Sequence, residues 1–250
     1  MVAPPLPVEI AVQDVAGVRI ALEAGAARVE LCQALEVGGL TPSAGLVEAA
    51  VELAAAASAG PFVHVLIRPR GGGFVYDADE LDQVVRDIRF VRSLGAAGVV
   101  VGALTDAGAL DLSAIAAFVD AAEVLDVTVH RAVDASADPL GSVASLGGTG
   151  VRRVLTSGGA SDCRTGLATL TAMVGATRST LEVMAGGGVR VGDIAALAAA
   201  GVDAVHLSAR RRAAIGGLSG PGGGDVGFDT TDAQLVHAAI AAAGAHRAAR

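Results

Sequence analysis

Ionisable side chains recur on alternate positions of short apolar runs in this chain, and their types suit proton transfer and anion recognition. Glu9 stands two residues from Ala11, Glu30 from Cys32, and His64 from Leu66, which stands two from Arg68. Thr128 stands two from His130, Glu182 from Met184, and His206 from Ser208. An unperturbed histidine titrates near neutrality, so His130 can act as a general acid or base, with Glu30 or Glu9 as tautomer-fixing or partner carboxylate. Arg68 and Arg70 flank Pro69, which biases the residue before it toward extended backbone. Two arginines on a stiff turn suit a carboxylate or phosphate, although Arg70 also reads as solvated surface. Ser157-Gly158-Gly159 and Gly186-Gly187-Gly188 could let backbone N–H groups approach an anion, or simply make tight strand-to-helix turns.

The elements that must position these residues follow from periodicity. The apolar runs are Val8–Val12, Arg28–Cys32, Phe62–Arg68, Gly98–Gly102, Val127–Arg131, Arg152–Thr156, Leu181–Ala185 and Asp203–Ser208. Amphipathic, alanine-rich segments of helical length separate most of them. The spacing predicts helices near Asp14–Ala24, Ser43–Ala57, Asp79–Leu94, Ser113–Ala122, Pro139–Ser145, Thr165–Val174, Val191–Ala200 and Thr231–Ala243. Strands alternating with helices at 250 residues predict an α/β fold, a (β/α)8 barrel of the TIM type, with residues 1–250 as one domain. Function in such a barrel sits at the C-terminal strand ends. Ile10, Val29, Val65, Val129 and Val205 mark uniformly apolar faces that suit packing under helices, so the polar faces must point into the barrel. Charges there need partners. For Glu9 and Glu182 an internal hydrogen-bond network accounts as well as chemistry does, with Arg68 and the three histidines offsetting the acids. For Arg68, His130 and Ser208, at strand ends, chemistry is favoured. The glycine-rich stretch from Arg210 to Asp229 reads as a long loop after strand eight.

Composition excludes several functions. The net charge of −8 and a pI near 5.0 argue against nucleic acid as partner. Aromatic residues make up 2% and tryptophan is absent, so base-stacking platforms are not expected. Hydrophobic content is 52%, yet charges, glycine or proline interrupt every apolar run before it could span a bilayer. The N-terminus has no basic region followed by an apolar one, so a cytoplasmic location is expected. All 18 basic residues are arginine; without lysine, Schiff-base and pyridoxal-phosphate mechanisms are excluded. Cys32 and Cys163 are the only thiols and form no zinc-type spacing.

Several longer motifs are more specific. Val29-Glu-Leu-Cys32, Gly38-Gly-Leu-Thr-Pro-Ser43 and Ile67-Arg-Pro-Arg-Gly-Gly-Gly-Phe74 come first. His130-Arg-Ala-Val-Asp134, Arg153-Val-Leu-Thr-Ser-Gly-Gly159, Ala185-Gly-Gly-Gly-Val189 and Val205-His-Leu-Ser208 follow. In this order they closely resemble the CutC family, named for copper homeostasis, over about Val8 to Ser208. The resemblance implies a cytoplasmic, homo-oligomeric barrel and a link to copper. Cu(I) prefers thiolate ligands, and Cys32 matches the family motif as the metal candidate. Many relatives carry a second cysteine near the end of strand one, where this chain has Ala11 and Val12. Cys163 is expected beyond strand six, across the barrel. Two readings therefore stand: copper handling through Cys32, or an enzyme acting on a small anionic or phosphorylated metabolite. In the second, Glu30, Arg68, His130 and His206 are the catalytic candidates. Arg70, Ser157, Gly158, Gly187, Gly188 and Ser208 are the anion-binding ones. A non-catalytic binding scaffold is a third, weaker reading.

Overall fold

Alternation of apolar and polar side chains decides which face of each strand meets the helices. The computed structural model describes residues 5–177, 180–213 and 227–245. Eight parallel strands close into a barrel in sequence order: β1 Val8–Val12, β2 Arg28–Leu31, β3 Val63–Leu66, β4 Gly98–Val101, β5 Asp126–Val129, β6 Arg153–Thr156, β7 Glu182–Gly186 and β8 Ala204–Leu207. Helices α1 Val15–Ala24, α2 Ala44–Ala56, α3 Ala78–Ser93, α4 Leu112–Ala122, α5 Pro139–Ser145, α6 Leu167–Thr177, α7 Ile194–Ala199 and α8 Ala233–Ala245 lie between and after them. This is the expected (β/α)8 architecture. β1 pairs β2 with Glu9 opposite Arg28, and closes on β8 with Glu9 opposite His206.

The outward side chains Ile10, Val29, Val65, Val99, Val129, Val154, Val183 and Val205 form one continuous core with the helices. The inward apolar residues form two smaller clusters, Cys32–Leu66–Val100 and Leu155–Met184–Ala204. Local chemistry sets the helix starts. The Asp14 carboxylate accepts from the Gly17 amide at 2.6 Å, and Gly25 ends α1 in the left-handed region at φ 80°. Asp77 and Glu80 form a reciprocal capping box that starts α3 at Ala78. Asp111, not Ser113, caps α4: its carboxylate reaches the Ala114 amide at 3.0 Å, which draws Ser113 into the helix.

The stretch after strand eight differs from the expected loop. Arg210–Ala213 (β9) pairs antiparallel with Phe228–Thr231 (β10), and Asp229 holds Arg210 at 2.8 Å. Opposite charges across the ribbon favour the pairing. Residues 214–226, the centre of that predicted loop, lie outside the described residues. None of the helices among the described residues is long and apolar enough to cross a membrane.

Candidate active site at the barrel mouth

Polar side chains inside the barrel fall into two tiers. In the lower tier the charges are paired. Arg28 Nε donates to Glu9 Oε2 at 2.6 Å, and its Nη2 lies 3.1 Å from Met184 Sδ. Glu9 Oε1 meets His206 Nδ1 at 2.8 Å. Arg153 Nη2 pairs with Glu182 Oε2 at 2.6 Å, and its Nη1 donates to Thr128 Oγ1 at 3.3 Å. Burial alone would raise the Glu9 pKa; the hydrogen bond from His206 and the charge of Arg28 outweigh it and hold the carboxyl below its usual range. The acids are thus offset by Arg28, Arg153 and His206; of Arg68 and the three histidines expected to do it, His206 alone pairs with an acid among the described residues. Arg68 has no carboxylate within ion-pairing distance among the described residues, and burial pushes the His64 pKa down to about 4, leaving it neutral.

In the upper tier the strand ends surround a cavity of about 180 Å³. Glu30, Arg68, His130, His206 and Ser208 all line it, together with Arg131, Arg210, Phe74 and Leu155. Arg68 is 7% exposed. Its Nη1 donates to the Val37 and Gly39 carbonyls at 3.1 Å each, and its Nη2 to Gly72 at 2.7 Å. These bonds tie the loops after β2 and β3 to one guanidinium. The Phe74 ring lies 5.1 Å from that guanidinium and 5.0 Å from the His130 ring.

His130 is 5% exposed. Its Nδ1 accepts from the Ala132 amide at 3.2 Å, so the neutral ring carries its proton on Nε2. That buried Nε2 has no protein partner. Burial, reinforced by the Arg68 charge, takes the ring's pKa down to about 3. At neutral pH the side chain is therefore a hydrogen-bond donor and not a base. Gly102 makes room for it: a Cβ there would fall 2.6 Å from the imidazole. Glu30 is shifted the other way. Burial raises its pKa to about 7; the His206 charge opposes the rise and the Glu9 charge adds to it. His206 Nε2 stands 3.8 Å from Glu30 Oε2. Burial lowers the His206 pKa, but Glu30 and Glu9 outweigh it and the net shift is upward.

The remaining anion candidates lie elsewhere. Arg70 is spent on Glu80 and on the carbonyls of Gly71, Gly73 and Val75, outside the cavity lining. The loop after β6 already holds an anion, the Asp134 carboxylate. It accepts from the Ser157 amide at 2.9 Å, the Gly159 amide at 2.9 Å and Thr156 Oγ1 at 2.5 Å. Gly158 N–H goes to Thr156 Oγ1 at 2.9 Å. Arg131 bonds Asp134 at 2.9 Å and Ser157 Oγ at 3.0 Å. Gly187, at φ 113°, lets that guanidinium lie against the backbone: a Cβ would approach Cζ at 2.7 Å. A Cβ on Gly188 would instead meet Asp162 at 2.8 Å. Sequence reasoning missed Arg131 and Arg210. Strand alternation turns Arg131 away from His130, but β5 ends at Val129 and a short 3-10 turn, Arg131–Ala135, redirects it.

A family model described as the CutC family matches residues 6–211. This chain belongs to the CutC family. A family protein CutC of Xylella fastidiosa is 40% identical over 234 residues, covering 91% of this chain and 85% of the relative. A CutC protein of Klebsiella pneumoniae is 42% identical over 201 residues, covering 80% and 79%. The crystal structure of CutC from Streptococcus agalactiae, provisionally designated a copper homeostasis protein, superposes with a TM-score of 0.76 at 30% identity. It covers 81% of this chain and 98% of that one.

The CutC name raises copper, and the thiols of this chain do not fit it. Cys32 is fully buried, its Sγ donating to the Val12 carbonyl at 3.6 Å among Leu66 and Val100. Burial and the Glu30 charge push its pKa well above the ordinary value, which disfavours the thiolate that Cu(I) needs. Cys163 belongs to the separate outer core, and burial pushes its thiol up to about 12. No group of three or more His, Cys, Asp or Glu side chains among the described residues is arranged to hold a metal ion.

Proposed function

We propose that this CutC-family barrel binds a small anionic metabolite at its mouth and moves a proton on it. Arg68, Arg131 and the Nε2–H of His130 receive the anion; Glu30, with His206 beside it, handles the proton. The observation that carries this reading is a buried guanidinium without a carboxylate, next to a buried N–H donor without a partner, both on one cavity. A buried charge left unpaired is costly; carbonyls hold Nη1 and Nη2 of Arg68 without neutralising it, and its buried Nε has no partner. A ligand anion would. The Glu30 pKa near 7 suits a proton carrier at neutral pH.

Calorimetric titration with inorganic phosphate, sulfate and 2-phosphoglycolate tests the reading. Saturable binding is expected, weakened at least about tenfold in Arg131→Gln, the loss of roughly one charge-assisted hydrogen bond. No binding of any of the three would overturn it. The copper reading rests on the family's name. It is tested by anaerobic Cu(I) titration against a competing chelator, where tight binding abolished in Cys32→Ala would bring the thiol back to the centre. Self-association and a cytoplasmic location accompany either reading as proposals, the first open to light scattering.

A further inference from the structure

The two sides of the cavity are unlike in a way that anion binding alone does not need. We propose that the site is built for enolisation: Glu30 removes a proton from carbon next to a carbonyl, and His130 Nε2–H stabilises the oxygen that gains charge. This rests on the anion-binding reading above and assigns it a reaction class and a substrate class, small hydroxy-carbonyl compounds carrying a phosphate or carboxylate.

The geometry divides the labour. Glu30 enters the cavity from β2 and His130 from the end of β5, three strands apart in the ring, so a substrate between them meets a carboxylate on one side and an N–H on the other. The His130 ring is fixed on three sides, by the Ala132 amide on Nδ1, the gap over Gly102 and the Phe74 ring. A neutral imidazole held this way donates without giving up its proton, which suits stabilisation of an enolate by a hydrogen bond. Arg68, 5.1 Å from the Phe74 ring, adds positive potential at His130. The chain has no lysine, so the carbonyl cannot be activated as an iminium and must be polarised by hydrogen bonds. A cavity of about 180 Å³ has the room of about six waters, enough for the reacting carbons with an anionic tail reaching Arg131.

The step balances without a co-reactant. The C–H bond breaks and its proton passes to a Glu30 oxygen. Its electron pair forms the new C=C bond, and the carbonyl π pair moves onto oxygen, where His130 Nε2–H donates to it. Return of the proton to the same carbon regenerates the carbonyl compound; return to the neighbouring carbon, with the hydroxyl proton moving between the two oxygens, gives the isomer.

Proton NMR in D2O at pH 8, with dihydroxyacetone phosphate and hydroxypyruvate as probes, tests this. The hydroxymethyl signal of at least one probe is expected to wash out about 100-fold faster than in buffer, a rate that rises with pH through about 7 as Glu30 ionises. Glu30→Gln should lose the exchange about 100-fold while still binding 2-phosphoglycolate. His130→Gln, a second variant in case the first fails to fold, should lose at least about tenfold and keep the pH profile. Binding of 2-phosphoglycolate by the wild type with no exchange of either probe would overturn enolisation and leave the anion reading standing. Exchange that survives Glu30→Gln would also overturn it. Absence of both binding and exchange would overturn the two together.

Discussion

The lower and upper tiers of the barrel interior use the same residue types to opposite ends. Below, Glu9 and Arg28 meet at 2.6 Å, as do Arg153 and Glu182, and His206 closes on Glu9. Above, Arg68 has only carbonyls, His130 Nε2 has nothing, and Glu30 stands 3.8 Å from its nearest cation. Both tiers are buried, so both bear the desolvation cost of polar groups. The lower one pairs its charges within the protein, leaving only His64 Nδ1 and Arg153 Nε without a partner among its described residues; the upper one leaves the Arg68 charge without a carboxylate. Polar residues inside a barrel are therefore not in themselves a sign of function; the sign is a donor or charge that the fold leaves unsatisfied beside open space.

Substitutions should separate the tiers. Arg28→Met strands Glu9 in the lower tier and is expected to cost about 3–5 kcal/mol in urea unfolding, since removing one member of a buried pair leaves the other charged. Arg68→Met leaves no stranded carboxylate. It should cost less, about 1–3 kcal/mol for the lost carbonyl bonds, but abolish binding of 2-phosphoglycolate; equal stability losses in the two variants would break the distinction. The pH response sharpens it further. The His64 pKa is depressed from 6.5 to about 4, so between those values the unfolded chain binds more protons than the folded one. That contribution to stability is intact above pH 6.5 and is lost as pH falls through the window, at a slope of up to about 1.4 kcal/mol per pH unit. His64→Asn should lower the slope of unfolding free energy against pH between 6.5 and 4, the depressed His130 still contributing its own. The smallest effect belongs to Cys32→Ala: about 1 kcal/mol of stability for a small buried side chain, with Cu(I) affinity in a chelator competition unchanged.

The order of strands and helices was legible because alternation in the strands is unbroken: Val63, Val65 and Ile67 face the helices while His64, Leu66 and Arg68 face in. The cavity-lining role of Glu30, His130 and His206 followed from that phase and from their distance to the strand ends. Arg153 was obscured because Arg152 precedes it and either could have been the inward one. Asp134, visible in the sequence only as the end of the His130–Asp134 motif, reaches the amides of Ser157 and Gly159, more than twenty residues on. A local pattern does not carry a contact of that range. The β9–β10 ribbon was hidden for a similar reason, its two halves separated by glycine-rich sequence that by itself signals a loop.

Asp134 also makes the barrel easy to repurpose. Phosphate-binding barrels leave the amides of a late loop open for a ligand; here the chain inserts its own carboxylate into such a loop and plugs it with a built-in counterfeit ligand. Replacing Asp134 with glycine would clear two backbone amides, the Thr156 and Ser157 hydroxyls and the Arg131 guanidinium at once. A single substitution would thus unplug an oxyanion pocket next door to the proposed one, a starting point for laboratory evolution of a two-headed receptor.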